Sequence, residues 1–256
     1  MGPWLASLSL PALFAVVTAA FLGMTLLSSG LGFACERLLR ARRIWAVPLD
    51  RGQYRFELLG NLIFLPIQIA AFTAVLYAGA IRFDDDASPL LTFAICYVGF
   101  LVYYYPLHLL LHRRRWVRFH RWHHRSRVTT PLTGQSMGPV EAIAWAIGYL
   151  AIPALASLVL PISAGGFVAH VVYNVFGNIF GHSNFEMVNP LSRTRLASIF
   201  TPPFVYHALH HARWTGNYGF GSTGLDWVFG SEFGDWRRLA AKVIDGEPLR
   251  SLKERG

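Results

Sequence analysis

Charge is scarce in this chain. Only 14% of its 256 residues are Asp, Glu, Lys or Arg, against 54% hydrophobic, too apolar a balance for an ordinary water-soluble domain. Cysteine is scarcer still: Cys35 and Cys96 sit at or within apolar runs without ligand spacing, which excludes a disulfide framework and a cysteine-held iron–sulfur centre. There is no Rossmann fingerprint, which needs a glycine-rich turn between a strand and a helix, and no His-Glu-x-x-His of a zinc hydrolase. No low-complexity linker or helical repeat divides the chain.

What is present is long apolar runs. Residues 13–33, 58–80, 90–111, 142–160 and 164–181 each approach the roughly 20 residues that cross a bilayer. They imply an all-α integral membrane protein with a bundle of four to five transmembrane helices, the fifth run being either a span or a re-entrant piece. The first run has neither a basic segment before it nor a clear cleavage site, so it reads as a retained anchor. We divide the chain into an N-terminal transmembrane anchor region, 1–90, and a histidine-bearing region, 91–256, within one membrane domain.

The formal net charge of +9 does not indicate nucleic acid, because the basic residues follow the positive-inside rule. Arg37, Arg40, Arg42, Arg43, Arg51 and Arg55 follow the first run, and Arg82 with Asp84, Asp85 and Asp86 follows the second. Arg113, Arg114, Arg115, Arg118, Arg121, Arg125 and Arg127 follow the third. With five crossings, segments 112–140 and 182–256 form a cytoplasmic helical cap.

Nine of ten histidines fall in spaced clusters: His108 and His112; His120, His123 and His124; His182, four residues after Asn178; and His207, His210 and His211. Positions i, i+3 and i+4 share one side of a helix, so each His-x-x-His-His should aim three rings in one direction. A first-row metal takes four to six ligands, so nine imidazoles suit a dimetal site, and imidazole accepts iron, zinc or copper alike. None of the seven glutamates lies inside a histidine motif, unlike the soluble carboxylate-bridged di-iron bundles. His170 lies twelve residues before His182, about 18 Å along a helix. That is too far for a shared ion pair, so it is either a polar contact in a substrate channel or a hydrogen bond to a neighbouring span.

These motifs, with Pro131-Leu132-Thr133, Asn178-Ile179-Phe180-Gly181-His182, Asn217-Tyr218-Gly219-Phe220-Gly221 and Leu225-Asp226-Trp227-Val228-Phe229-Gly230, resemble the fatty acid hydroxylase and sterol desaturase superfamily of integral-membrane di-iron oxygenases. The resemblance covers about residues 105–230. It implies that two iron ions, with O2 as co-substrate, are held on the cytoplasmic face by His108, His112, His120, His123, His124, His182, His207, His210 and His211. Asn178 matches the family's asparagine, either beside the metals or as a contact between helices. Two departures stand out: Gly138-Pro139-Val140-Glu141 lacks a histidine common before the proline, removing a supporting contact, and no Asp shortly precedes Asn217.

The resemblance further implies hydroxylation or desaturation of a membrane lipid, sterol or fatty-acyl, in lipid biosynthesis. A carotenoid or other isoprenoid hydroxylase and a non-enzymatic membrane metal-binding protein are the alternatives. With no redox cofactor motif in the chain, electrons must come from a separate donor, a ferredoxin or a b-type cytochrome with its reductase. The arginine-rich loop 113–127 is either its docking face or a consequence of topology and headgroup contact.

Overall fold

The long apolar runs begin and end at residues that favour those boundaries. In the computed structural model, which describes residues 2–187 and 194–256, a short α1, Gly2–Ser7, precedes α2, Leu10–Leu38, which carries a proline in its first turn. Helix α3, Gln53–Tyr77, starts after Gly52, whose φ of 75° suits a residue without Cβ. Helix α4, Pro89–Leu111, begins on a proline and is capped by Ser88, whose hydroxyl accepts from Leu91 N at 3.3 Å. After the short α5, Val117–His120, come α6, Pro139–Ala156, and α7, Ala164–His182, the latter capped by Ser163. Four shorter helices follow: α8, Arg195–Phe200; α9, Phe204–Arg213; α10, Gly224–Phe229; and α11, Trp236–Ile244. Among the described residues there are no strands, only three isolated bridges.

Helices α2, α3, α4 and α6 are long and apolar enough to cross a membrane. The fifth expected span, α7, is a helix of 19 residues that falls outside that group. The reason is its position: it packs against both α2 and α4, and its inner face buries His170, Asn178 and His182. A helix sheltered by others has less need of lipid-facing apolar residues.

The five long helices alternate in direction. The starts of α4 and α7 meet where Gly166 lies against Pro89, and their ends, His108 and His182, lie in two adjoining histidine groups with the start of α6 beside the first. Aromatic rings fill the bundle interior, with Phe100 stacked on Tyr149 at 5.0 Å and Phe72 on Phe167 at 6.1 Å. Some of its polar groups find main-chain acceptors, as a low-dielectric interior favours: Gln68 Nε2 donates to Ala142 O at 2.7 Å and Asn61 Nδ2 to Leu132 O at 2.8 Å.

A second core lies beyond the histidine end. Val205, Tyr206 and Leu209 of α9, Trp236, Leu239 and Val243 of α11, and Ile44, Trp45 and Leu249 pack together there. Ile44 and Trp45 come from the link between α2 and α3 and are held by Asn184, whose Oδ1 accepts from Trp45 N at 2.8 Å and whose Nδ2 donates to Trp45 O at 3.1 Å. The histidines sit between the two cores.

Gly166→Leu places carbon against the Pro89 carbonyl and the Thr92 side chain and should force α4 from α7. The expected loss is about 1–3 kcal/mol in detergent unfolding titrations. Gly23→Ala meets nothing within 4 Å and should leave the midpoint unchanged or raise it slightly.

Candidate metal centre

Every one of the nine clustered histidines reaches the same place, but the motifs divide there. His108, His112, His120, His124 and His210 form one group, and His123, His182, His207 and His211 another, with candidate ligand atoms within 4.8 Å of one another inside each group. The expectation that each His-x-x-His-His faces one way is therefore corrected. In the first motif the i, i+4 pair His120 and His124 joins the five-ring group while His123 turns to the other. In the second, His207 and His211 join the four-ring group while His210 crosses to the first. Neighbouring rings on a helix diverge by about 100°, so two ions side by side can each take part of both motifs. The first motif does so without a continuous helix: α5 ends at His120 and a single tight turn spans His123–Arg125.

Ring orientation comes from the Nδ1 side. Nδ1 of His108 lies 2.6 Å from Tyr218 O, that of His182 2.6 Å from Asn178 O, and that of His210 2.7 Å from Gly216 O. His211 meets Ser126 O at 3.0 Å and His123 meets Ser136 O at 3.3 Å. A carbonyl can only accept, so these rings donate from Nδ1 and present unprotonated Nε2 to the centre.

Those Nε2 atoms lie 3.0 Å apart between His108 and His210, 3.2 Å between His182 and His123, and 3.2 Å between His211 and a further ring, His207. With both Nδ1 atoms of the first two pairs already donating, lone pair faces lone pair. Such an arrangement lacks a proton to share and is relieved by a cation between the rings. Metal–nitrogen bonds of about 2.0–2.1 Å meeting at right angles separate two nitrogens by roughly 3.0 Å, so the residues present fit a metal ion in each group. Burial first, and neighbouring imidazoles second, hold His120, His124, His207, His210 and His211 well below the ordinary histidine value, His123 at about 3 and His112 at about 4. The rings are thus neutral, as ligation requires.

Carboxylates support the rings rather than joining them. Glu141, fully buried at the start of α6, meets His120 Nδ1 at 2.7 Å. The supporting contact expected to be missing is therefore supplied by the residue two places after the proline. Glu57 of α3 accepts from Ser126 Oγ, Thr130 Oγ1 and Thr133 Oγ1 at 2.6–2.7 Å, fixing the loop whose carbonyls orient His211 and His123. Asp226 accepts from Tyr218 N, Gly219 N, Tyr206 Oη and Ser231 Oγ, and so sets the strand-like turn that presents Tyr218 O to His108. Glu186 receives Phe204 N and Val205 N, capping the helix that carries three of the clustered histidines. Sequence reasoning missed all four, because a buried acid leaves no spacing signal until its donors are known.

Asn178 donates from Nδ2 to Gly134 O at 2.6 Å, and its buried Oδ1 has no partner among the described residues. His170 lies outside both groups, ringed by Phe93, Phe100 and Tyr149. Gly219-Phe220-Gly221-Ser222-Thr223-Gly224 has the bare Gly-x-Gly-x-x-Gly spacing, but no strand precedes it, and Phe220 packs on His207 at 4.6 Å and His182 at 5.1 Å. Beside these rings, a cavity of about 180 Å³ runs between α4 and α7 beneath α8, lined by Tyr97, Phe100, Tyr104, Asn178, Phe200 and His207 among others.

A membrane helix bundle closed at one end by two groups of converging imidazoles defines the class of histidine-walled metal proteins of the bilayer. The chain belongs to the fatty acid hydroxylase family, a family of oxidative enzymes, whose model matches residues 93–231, just over half of it. It is 35% identical to very-long-chain aldehyde decarbonylase CER1 of Arabidopsis thaliana over 50% of this chain and 21% of that protein. It is 31% identical to very-long-chain aldehyde decarbonylase GL1-6 of Oryza sativa subsp. indica over 68% of this chain and 25% of that protein. The matches thus span about a fifth to a quarter of these relatives' length. No solved structure matches the chain.

Glu141→Ala should weaken metal binding by the five-ring group by about 10–100-fold, the usual effect of removing a carboxylate behind a ligating histidine, while Glu141→Gln retains more. Metal content after graded chelator dialysis measures both.

Proposed function

We propose that this chain is a membrane-bound di-iron oxidoreductase that uses O2 and external electrons to hydroxylate or desaturate a lipid substrate, with its site on the cytoplasmic face. The convergence of nine neutral imidazoles in groups of five and four carries this reading: the number suits two ions, and membership of the fatty acid hydroxylase family favours iron among the metals imidazole accepts. All nine histidines act as ligands in this reading, with Asn178 Oδ1 beside them. Once bound and reduced, an iron pair supplies the oxidising power that an unactivated C–H bond requires.

The protein's own residues do the rest. Main-chain carbonyls and Glu141 hold six of the nine rings, which limits reorganisation during the reaction. Phe220 walls the four-ring group and keeps water from it. The cavity between α4 and α7 leads an apolar substrate to His207. Phe200 of its lining is 65% exposed, which suits entry from the bilayer. The aromatic lining of the cavity and the very-long-chain aldehydes named for the relatives favour an extended aliphatic chain over a sterol. The same relatives favour a second reading, conversion of a long-chain aldehyde at this site.

The cytoplasmic assignment rests on charge. Exposed Arg113, Arg114 and Arg115 lie at the histidine end, whereas Asp84 lies at the opposite end, its N–H bonded to Ile162 O. The chain holds no redox cofactor motif, so a ferredoxin or a b-type cytochrome with its reductase supplies the electrons.

Expression with iron, followed by metal analysis and lipid profiling against His123→Ala, tests the proposal. The expected result is about two irons per chain and an oxygenated, newly unsaturated or shortened lipid that disappears in the variant. One tightly held zinc with unchanged lipids would sink it and favour a non-enzymatic metal-binding protein.

A further inference from the structure

Eight of the nine converging rings are buried; His112 is only half-buried and turns one side toward the surface. Among the described residues outside the histidine groups, two aromatic rings approach it. Tyr218 is 5.2 Å away and Trp214 6.2 Å, the indole nearly perpendicular. Trp214 also lies 4.7 Å from His124, and it is itself half-exposed. One indole therefore touches two rings of the five-ring group and reaches solvent.

Its backbone makes the position unusual. Trp214 ends α9 with φ 70° and ψ −30° and donates its N–H to His210 O at 2.7 Å. A glycine fills such a helix-ending position without strain, whereas a side chain there costs energy. A bulky aromatic retained in a strained conformation, with its ring against metal-site imidazoles, indicates that the ring itself has a role there. The flanking surface is basic. Arg127 Nη2 reaches Ala212 O at 3.5 Å, two residues before the indole, the charge of Arg113 acts on Tyr218, and both arginines are exposed.

We propose that Trp214 is the electron-entry point of the metal centre: an acidic one-electron donor of the iron–sulfur or haem class docks over Arg113 and Arg127, and its electrons cross the indole to the metals held by His112 and His124. This rests on the di-iron reading above. In each encounter the donor is oxidised by one electron and the metal pair is reduced by one, the indole being unchanged. Two encounters, with two protons from solvent, supply what lets one oxygen atom of O2 leave as water. Opposite charge speeds the encounter, and the contact route matters because tunnelling falls steeply with distance.

The test compares iron-loaded wild type, Trp214→Phe and Trp214→Gly in stopped-flow reduction, using first a plant-type ferredoxin or a b-type cytochrome and then dithionite. Iron content and the unfolding midpoint in detergent are measured alongside. Trp214→Gly should keep its iron and its midpoint, since glycine relieves the strained φ, yet be reduced by the protein donor at least about tenfold more slowly, equivalent to about 1.4 kcal/mol in the barrier. Trp214→Phe should retain most of the rate, and dithionite should reduce all three alike. An unchanged donor rate in the glycine variant overturns the proposal. So does an equal slowing with dithionite, which would make the indole only a wall of the site. A wild type that neither protein reduces overturns it too. A wild type that takes up no iron instead overturns the di-iron reading, and this proposal with it.

Discussion

Unprotonated ring nitrogens aimed at one another about 3 Å apart are the constraint on which the rest of this structure depends. Each such contact requires that the opposite ring nitrogen be held by an acceptor, that the ring be buried and neutral, and that a cation separate the lone pairs. Main-chain carbonyls of Ser126, Ser136, Asn178, Gly216 and Tyr218 meet the first requirement. The shapes of the loops are set accordingly. Four of these carbonyls, those of Ser126, Ser136, Gly216 and Tyr218, lie in loops and turns outside the α-helices, while Asn178 O lies in the last turns of α7, so short segments and the ends of α4 and α7 share the histidines.

Those irregular segments cannot hold themselves. Four buried acids do it: Glu57 on the segment after the first His-x-x-His-His, Glu186 on the start of α9 and Asp226 on the turn carrying Tyr218 each gather several donors, and Glu141 acts on His120 alone. Burying a carboxylate is costly unless several donors face it, and Glu57, Glu186 and Asp226 are met by hydroxyl, amide and main-chain N–H groups. The same bonds help to fix the clustered histidines.

The two hydrophobic cores divide the work. The bundle core of Phe72, Phe100, Tyr149 and Phe167 keeps the ends of α4 and α7 in register, and the outer core around Tyr206 and Trp236 presses α9 onto them. The cavity lies between α4 and α7, walled by Tyr97, Phe100, Tyr104 and Phe220. Strain appears at Trp214, whose indole lies against the arginine-flanked side of the five-ring group. In the readings proposed above, substrate reaches the four-ring group at His207 and electrons reach the five-ring group at His112 and His124.

Much of the molecule was legible from residue order alone. The apolar runs marked the long helices because lipid-facing length leaves a one-dimensional signal, and the nine histidines declared a dimetal site because no smaller site needs so many. The sequence could not reveal how they divide. Ring assignment depends on which carbonyl meets each Nδ1, and those carbonyls come from segments as distant as Ser126 for His211 and Tyr218 for His108. Nor could it reveal Glu57, Glu141, Glu186 and Asp226 as supports, or Ile44 and Trp45 as part of the outer core, since each role exists only through partners far away in the chain. Composition and spacing therefore determined the membrane class and the donor set. Tertiary packing decided which donors share an ion, what holds them, and where the site opens, because these follow from contacts between segments and not from the order of residues within any one of them.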